Sequence, residues 1–245
     1  MKKMFIVVMA GFVILAGTAS HQAQADLAKQ KIDVKYFTLK TPTIVELQET
    51  EGSVSALDAA PAPATPDLSG GVSSDIDGMQ VIFDQIVNMG KQIWNVVESN
   101  RAVVNVETDS ANALPLGVSD WQGMQGWKTP KVKVFHVSYE NLYGINTVDF
   151  TYRVMFTPGG NIQGRGAYLA QVTVVPANVS VAWGHKFSMK ASIPSVTNAG
   201  SSRHPVAAAQ VQVGWKVETV LTHSEEVANY YVRGDGAFVS LNDRN

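Results

Sequence analysis

Val148-Asp149-Phe150-Thr151-Tyr152-Arg153-Val154-Met155-Phe156-Thr157 decides the fold class. Val148, Phe150, Tyr152, Val154 and Phe156 share one edge of an extended chain, and Asp149, Thr151, Arg153 and Thr157 share the other. A period of two is the signature of a half-buried β-strand. The same alternation recurs on both sides of this stretch, from Lys131 to Leu221.

Upstream, Val132 and Val134 lead one face before Phe135, Val137 and Tyr139 take over the other, which predicts a bulge near Phe135. Asn141-Leu142-Tyr143-Gly144 reads as a turn. Downstream, Pro158-Gly159-Gly160 through Gly166 reads as a hairpin loop. Tyr168, Ala170, Val172 and Val174 form the next apolar edge, and Pro176-Ala177-Asn178 reads as a turn. Val179, Val181, Trp183, His185, Phe187 and Met189 then alternate with Ser180, Lys186, Ser188 and Lys190, which places Trp183 in mid-strand in the core. After a Ser/Gly/Asn-rich loop from Ile193 to Pro205, the apolar set is Ala207, Ala209, Val211, Val213, Trp215 and Val217. Two short strands around Gly234-Asp235-Gly236 close the chain.

Consecutive strands with short links and no βα alternation predict a mainly β, antiparallel fold. Two closures compete: a sandwich, which buries the apolar faces between sheets, and a membrane barrel, which turns them to lipid between aromatic girdles. Alanines and a histidine on the apolar faces, and strand ends without consistent aromatics, favour the antiparallel β-sandwich.

Ahead of this block, Ile76, Met79, Ile82, Phe83, Ile86, Val87, Ile93 and Val97 recur at helical spacings. They predict one long amphipathic helix over 75–100, about 25 residues or roughly 37 Å, capped by Ser74 and crossed by Gly78 and Gly90. Arg101 to Asp109 then reads as a first strand, and Ser110 to Pro130 as a long loop carrying Trp121 and Trp127. Residues 51–74, with Ala59-Ala60-Pro61-Ala62-Pro63-Ala64-Thr65-Pro66, read as an extended tether. In 26–50, Ile32, Val34 and Tyr36 alternate with Lys31, Asp33 and Lys35 as a strand, and Pro42 suits a sheet edge. The main domain is therefore expected over 75–245.

The N-terminus has the three-part layout of a secretory signal. Lys2 and Lys3 precede an uncharged apolar run from Met4 to Gly17, and Ala23-Gln24-Ala25 places small residues ahead of a cut before Asp26. The run is shorter than the roughly 20 residues that span a bilayer, so a signal peptide over 1–25 is preferred to a membrane anchor, and no transmembrane helix is expected after cleavage. An exported chain, periplasmic or extracellular and outer-membrane associated in one version, follows. The short signal and the lack of cysteine lean bacterial.

Composition excludes more than it assigns. The 245 residues contain no cysteine, which removes disulfides, thiolate metal sites and cysteine nucleophiles. The net charge of −2 supplies no basic field for nucleic acid. Gly159 to Gly166 lacks the Lys-Ser or Lys-Thr and the following helix of a phosphate loop. Arg233-Gly234-Asp235 is explained as a turn, and Asn178-Val179-Ser180 is a glycosylation triplet only in a eukaryotic pathway. His136, His185, His204 and His223 show no metal-ligand spacing, and His185 reads as a hydrogen-bonded core residue. No serine sits in a nucleophile elbow, and Glu225-Glu226, Asp235 and Asp243 read as solvated charge. No catalytic residue, cofactor or metal site is therefore assigned.

The remaining candidates are contact residues. Trp121, Trp127 and Tyr143 stand in loops, where exposed rings would meet a glycan or a partner protein and buried ones would cap the sandwich. The leading expectation is a non-catalytic envelope protein with a structural or assembly role, whose residues 26–50 dock on its own subunits or on another envelope protein by strand addition. A carbohydrate-binding module using Trp121 and Trp127 comes second, and a hydrolase with an unrecognised site third.

Overall fold

The structure is a computed structural model, and it describes residues 32–47, 81–105 and 108–242. The signal segment with Ala23, Ala25 and Asp26, the tether over 51–74 and the first residues of the expected helix lie outside the described residues. The chain divides into Met1–Val34, of which residues 32–34 are described, and Lys35–Asn245, which holds both sheets.

The fold is mainly β, with two antiparallel six-stranded sheets. The first contains β1 (Thr43–Leu47), β6 (Lys131–Glu140), β7 (Asn146–Ile162), β8 (Arg165–Val181), β5 (Ala111–Leu116) and β2 (Ile82–Gly90), in that spatial order. The second runs β12 (Phe238–Ser240), β11 (His223–Arg233), β10 (Ala207–Glu218), β9 (Lys186–Asn198), β3 (Ile93–Glu98) and β4 (Arg101–Ala102). A single helical turn, α1 (Val34–Phe37), precedes them. Among the described residues, no helix is long and apolar enough to cross a membrane.

The apolar edges predicted for β7 and β10 are the inner faces of a β-sandwich. Phe150, Tyr152, Val154 and Phe156 of the first sheet and Val211, Val213, Trp215 and Val217 of the second are all buried. Phe150 packs on Phe187 and Trp215 with ring centroids 4.4 and 5.6 Å apart. Two fully buried hydrogen bonds are among those that join the layers: the Tyr152 and Tyr230 hydroxyls lie 2.6 Å apart, and Trp215 Nε1 donates to Tyr139 Oη at 2.9 Å. Each gives a buried polar atom the partner that its desolvation demands.

The long amphipathic helix is not there. Residues 82–90 and 93–98 are β2 and β3, and the chain passes from one sheet to the other between them. Gly90 makes the passage. Its φ is +131°, and a Cβ there would stand 2.6 Å from the Ser110 carbonyl oxygen, a conformation closed to a helix interior. The helical spacing was misleading because β2 is half-covered on both faces, so its apolar residues do not alternate. Ile93, expected on the buried side, is 67% exposed.

Other expectations shift for local reasons. Of the strand predicted near Lys31, residues 34–37 form α1, and the edge strand begins directly after Pro42. The ladder between β6 and β7 runs without a slip from Lys131 to Tyr139, so there is no bulge at Phe135. Among the described residues of the stretch 101–109, only Arg101–Ala102 is strand, and the loop expected from Ser110 opens with β5. The β7–β8 hairpin turns at Gln163 and Gly164, both with positive φ, the pattern of a two-residue primed turn. Pro176-Ala177-Asn178 is a bulge inside β8, not a turn: Thr151 pairs with Asn178 and Tyr152 with Pro176, leaving Ala177 extra. A proline without an N–H is tolerated in an inner strand at such a point. β9 also continues to Asn198, past the expected loop start at Ile193.

Candidate functional site

The site begins with six residues laid across one end of the sandwich. The Lys35 carbonyl accepts from the Leu142 amide at 3.1 Å, in the β6–β7 turn. Tyr36 Oη donates to the Trp183 carbonyl at 3.1 Å, in the β8–β9 turn. The Phe37 carbonyl accepts from the hydroxyls of Thr219 and Thr222, each at 2.8 Å, in the β10–β11 turn. Lys40 donates its amide to the Glu140 carbonyl and pairs its ammonium with that carboxylate at 2.9 Å. Residues 35–40 thus staple three turns from both sheets.

Beneath the staple, the Phe37 ring lies against Trp183 and His185. Gly184, at φ +79°, leaves room for it: a Cβ there would fall 2.7 Å from Phe37 Cε1. His185 is buried as expected, but in the turn and not on a strand. Its Nδ1 is 3.1 Å from the Trp183 carbonyl oxygen, and its Nε2 finds no partner among the described residues. Trp183 itself is not core. It is 80% exposed at the tip of the β8–β9 turn, because Gly184 ends the alternation there with a positive-φ turn residue. Around the same staple, Leu142, Tyr143, Ile145, Val220 and Leu221 are also exposed.

Trp121 and Trp127 come together at the far end of β7. Asp120 caps a single 3-10 turn over Trp121–Gly123. Trp127 Nε1 donates to the Trp121 carbonyl at 3.2 Å, and the rings meet edge to face with centroids 5.7 Å apart. A Cβ on Gly160 would come within 2.2 Å of Trp127 Cη2, so the ring occupies the space that this glycine leaves open. Both rings are partly buried against the core, and a ligand would meet only their remaining edges. Tyr143 is not part of this group. It precedes the 17-residue β7 and Trp127 covers its other end, a separation of roughly 50 Å at about 3.3 Å per residue.

Several ionisable groups elsewhere form pairs. His136 Nε2 lies 2.8 Å from Asp149 Oδ2, and His223 sits between Glu218 and Glu225. Burial alone would raise the Asp109 carboxyl, but the Asn105 amide and the Lys91 ammonium outweigh it and hold it below the usual carboxylate range. An open groove of about 450 Å³ on the outer face of β3, β9 and β10 is lined by Lys186, Lys190, Lys216, Glu98 and Glu218. The Lys216 ammonium there is 2.7 Å from Glu218, which raises the lysine's proton affinity and lowers the glutamate's. Among the described residues, no group of three His, Asp or Glu side chains has the arrangement to hold a metal ion.

No family model, no curated protein and no solved structure matches the chain. Sequence reasoning named Tyr143 but missed the stapled end, because the hydrogen bonds that build it join Lys35–Lys40 to residues 100 or more positions away.

Proposed function

We propose that this chain is an exported, non-catalytic β-sandwich protein of the cell envelope with an assembly role, and that copies join by exchanging residues 35–47. The observation that carries the reading is the condition of β1. It pairs with β6 from Thr43–Ser138 to Leu47–Val134, yet all five of its residues are exposed. Main-chain hydrogen bonds and the Lys133–Glu46 ion pair at 2.7 Å hold it, with little side-chain burial. Such a strand pairs equally well with an identical edge on a second copy, and the exchange leaves the number of hydrogen bonds unchanged. Residues 48–81 link β1 to β2, a length of chain that spans up to about 110 Å when extended. That reach allows β1 to lie on its own sandwich or on a neighbour's. The signal-like N-terminus supports export.

The absence of cysteine makes the test direct. Thr43→Cys and Ser138→Cys together place two thiols at directly opposed cross-strand positions, where the Cα separation suits a disulfide. Material oxidised in the envelope fraction of expressing cells should run as dimers and higher species on a non-reducing gel. Cross-links found only within single chains, at every concentration, overturn strand exchange.

A further inference from the structure

We propose that the seat of Phe37 is a peptide-recognition site, selective for an aromatic side chain, whose occupant in trans is the segment Lys35–Lys40 of a second copy. The inference rests on the strand-exchange reading and adds the residue that makes exchange specific. β1 cannot supply that specificity. Its side chains are exposed, and it is held mainly by main-chain hydrogen bonds, which give affinity while side-chain pockets give selectivity. Phe37 can supply it. Among the described residues from 32 to 47, it is the only one that is buried. One aromatic anchor in a fitted pocket, with weak contacts around it, is how interfaces commonly concentrate their binding energy.

The turns that form the seat carry hydrogen bonds of their own, independent of the occupant. In the β6–β7 turn, Asn141 Oδ1 accepts from the Tyr143 and Ile145 amides. In the β8–β9 turn, the His185 amide donates to the Ala182 carbonyl at 3.2 Å, and Asn100 Nδ2 donates to the His185 carbonyl at 3.2 Å. In the β10–β11 turn, Thr219 Oγ1 accepts from the Leu221 and Thr222 amides at 3.1 and 2.8 Å. Those two bonds use the acceptor capacity of the Thr219 hydroxyl and leave its proton for the Phe37 carbonyl. A site ordered in advance spares part of the cost of binding. Selectivity follows from Gly184, since a Cβ there would fall 2.7 Å from Phe37 Cε1. The ring occupies the space that this glycine leaves open, with the His185 imidazole stacked on it at an interplanar angle of 28°. Tyr36 meets the same ring edge to face, centroids 4.9 Å apart. A second copy is the matching occupant because the seat already holds this sequence from its own chain.

Two full-length chains, co-expressed, make the test. A donor carries Thr43→Cys alone and an acceptor carries Ser138→Cys alone, with a tag on one so that the mixed disulfide is resolved by size. That disulfide reports the donor's β1 lying on the acceptor's β6. Phe37→Ala should then act in opposite directions. In the donor it should lower the mixed cross-link by about tenfold or more, because the travelling strand has lost its anchor. In the acceptor it should raise the cross-link, because the acceptor's own segment no longer competes for the seat. A protein that is merely destabilised moves the signal the same way from either side. Phe37→Leu, the milder change, should repeat the pattern with smaller amplitude, and Gly184→Ala in the acceptor should lower the cross-link. A labelled peptide of residues 35–47 gives a second readout. It should bind Phe37→Ala or Phe37→Leu protein that keeps the parent's far-ultraviolet circular dichroism, and Phe37→Ala in the peptide should weaken that binding by about tenfold or more. Cross-linking indifferent to Phe37, a shift in one direction from both sides, or no Phe37-dependent peptide binding overturns the proposal. Phe37-dependent peptide binding without any mixed cross-link in the parent pair removes strand exchange and upholds the seat as a recognition site.

Discussion

Tyr152 and Tyr230 bring two hydroxyl groups face to face between the sheets, 2.6 Å apart and closed off from water. One hydroxyl donates and the other accepts; Tyr152 depends on Tyr230 for its partner, whereas Tyr230 also interacts with the Asn242 side chain. Tyr230→Phe should cost about 1–3 kcal/mol, most of it from leaving the Tyr152 hydroxyl desolvated and unpaired. Adding Tyr152→Phe removes that orphan, so the double variant should be no less stable than the worse single one. Urea unfolding of the four proteins closes the cycle, and strictly additive losses would show that the pair acts as two independent packing residues. Tyr143 and Trp183 lie at the other extreme, each largely in solvent, so replacing them should leave the unfolding midpoint within about 0.5 kcal/mol of the parent.

At the scale of the element, Gly90 separates two readings of the same sequence. In the interior of a helix, Gly90→Ala would stabilise by about 1 kcal/mol. At the crossing from β2 to β3, with φ +131° and the Ser110 oxygen 2.6 Å from the new Cβ, the same change should destabilise by about 1–3 kcal/mol. The sign of the shift in a chemical denaturation midpoint decides between them. The elements that sequence located well, β7 and β10, bury one face cleanly, so alternation was visible along the strand. β2 and β3 escaped because apolar residues on both faces, with irregular registers near Ile82–Ile86 and Asn95–Val97, imitate helical spacing. Trp183 was misplaced by continuing an alternation through Gly184, the residue that breaks it. Of the stapled end, the Asn141–Gly144 turn could be read in advance. The bonds from Lys35, Tyr36 and Phe37 could not, because no local pattern encodes a contact across the length of the chain.

For the whole molecule, the tyrosines set an alkaline limit. Burial pushes the phenols of Tyr139, Tyr152 and Tyr230 up, and that of Tyr168 to about 12. In the unfolded chain the same groups ionise near pH 10. The folded state therefore retains protons that the unfolded state loses, and the stability that this contributes is fully present below about pH 10 and falls as pH rises toward 12. Alkaline titration should show these tyrosines ionising together with the loss of near-ultraviolet dichroism. Gradual ionisation of all seven tyrosines in a chain that stays folded would contradict the burial described above.

The staple also determines how the molecule yields to force. A pull applied ahead of Lys35 reaches the hydroxyls of Thr219 and Thr222 and the Leu142 amide before it reaches any ladder. Those few bonds act as a fuse. Once they part, Phe37 leaves its seat and β1 peels from β6 one residue pair at a time, before any other ladder is pulled open. A protein tethered by its N-terminus would thus absorb tension in its first strand and keep its aromatic core shut.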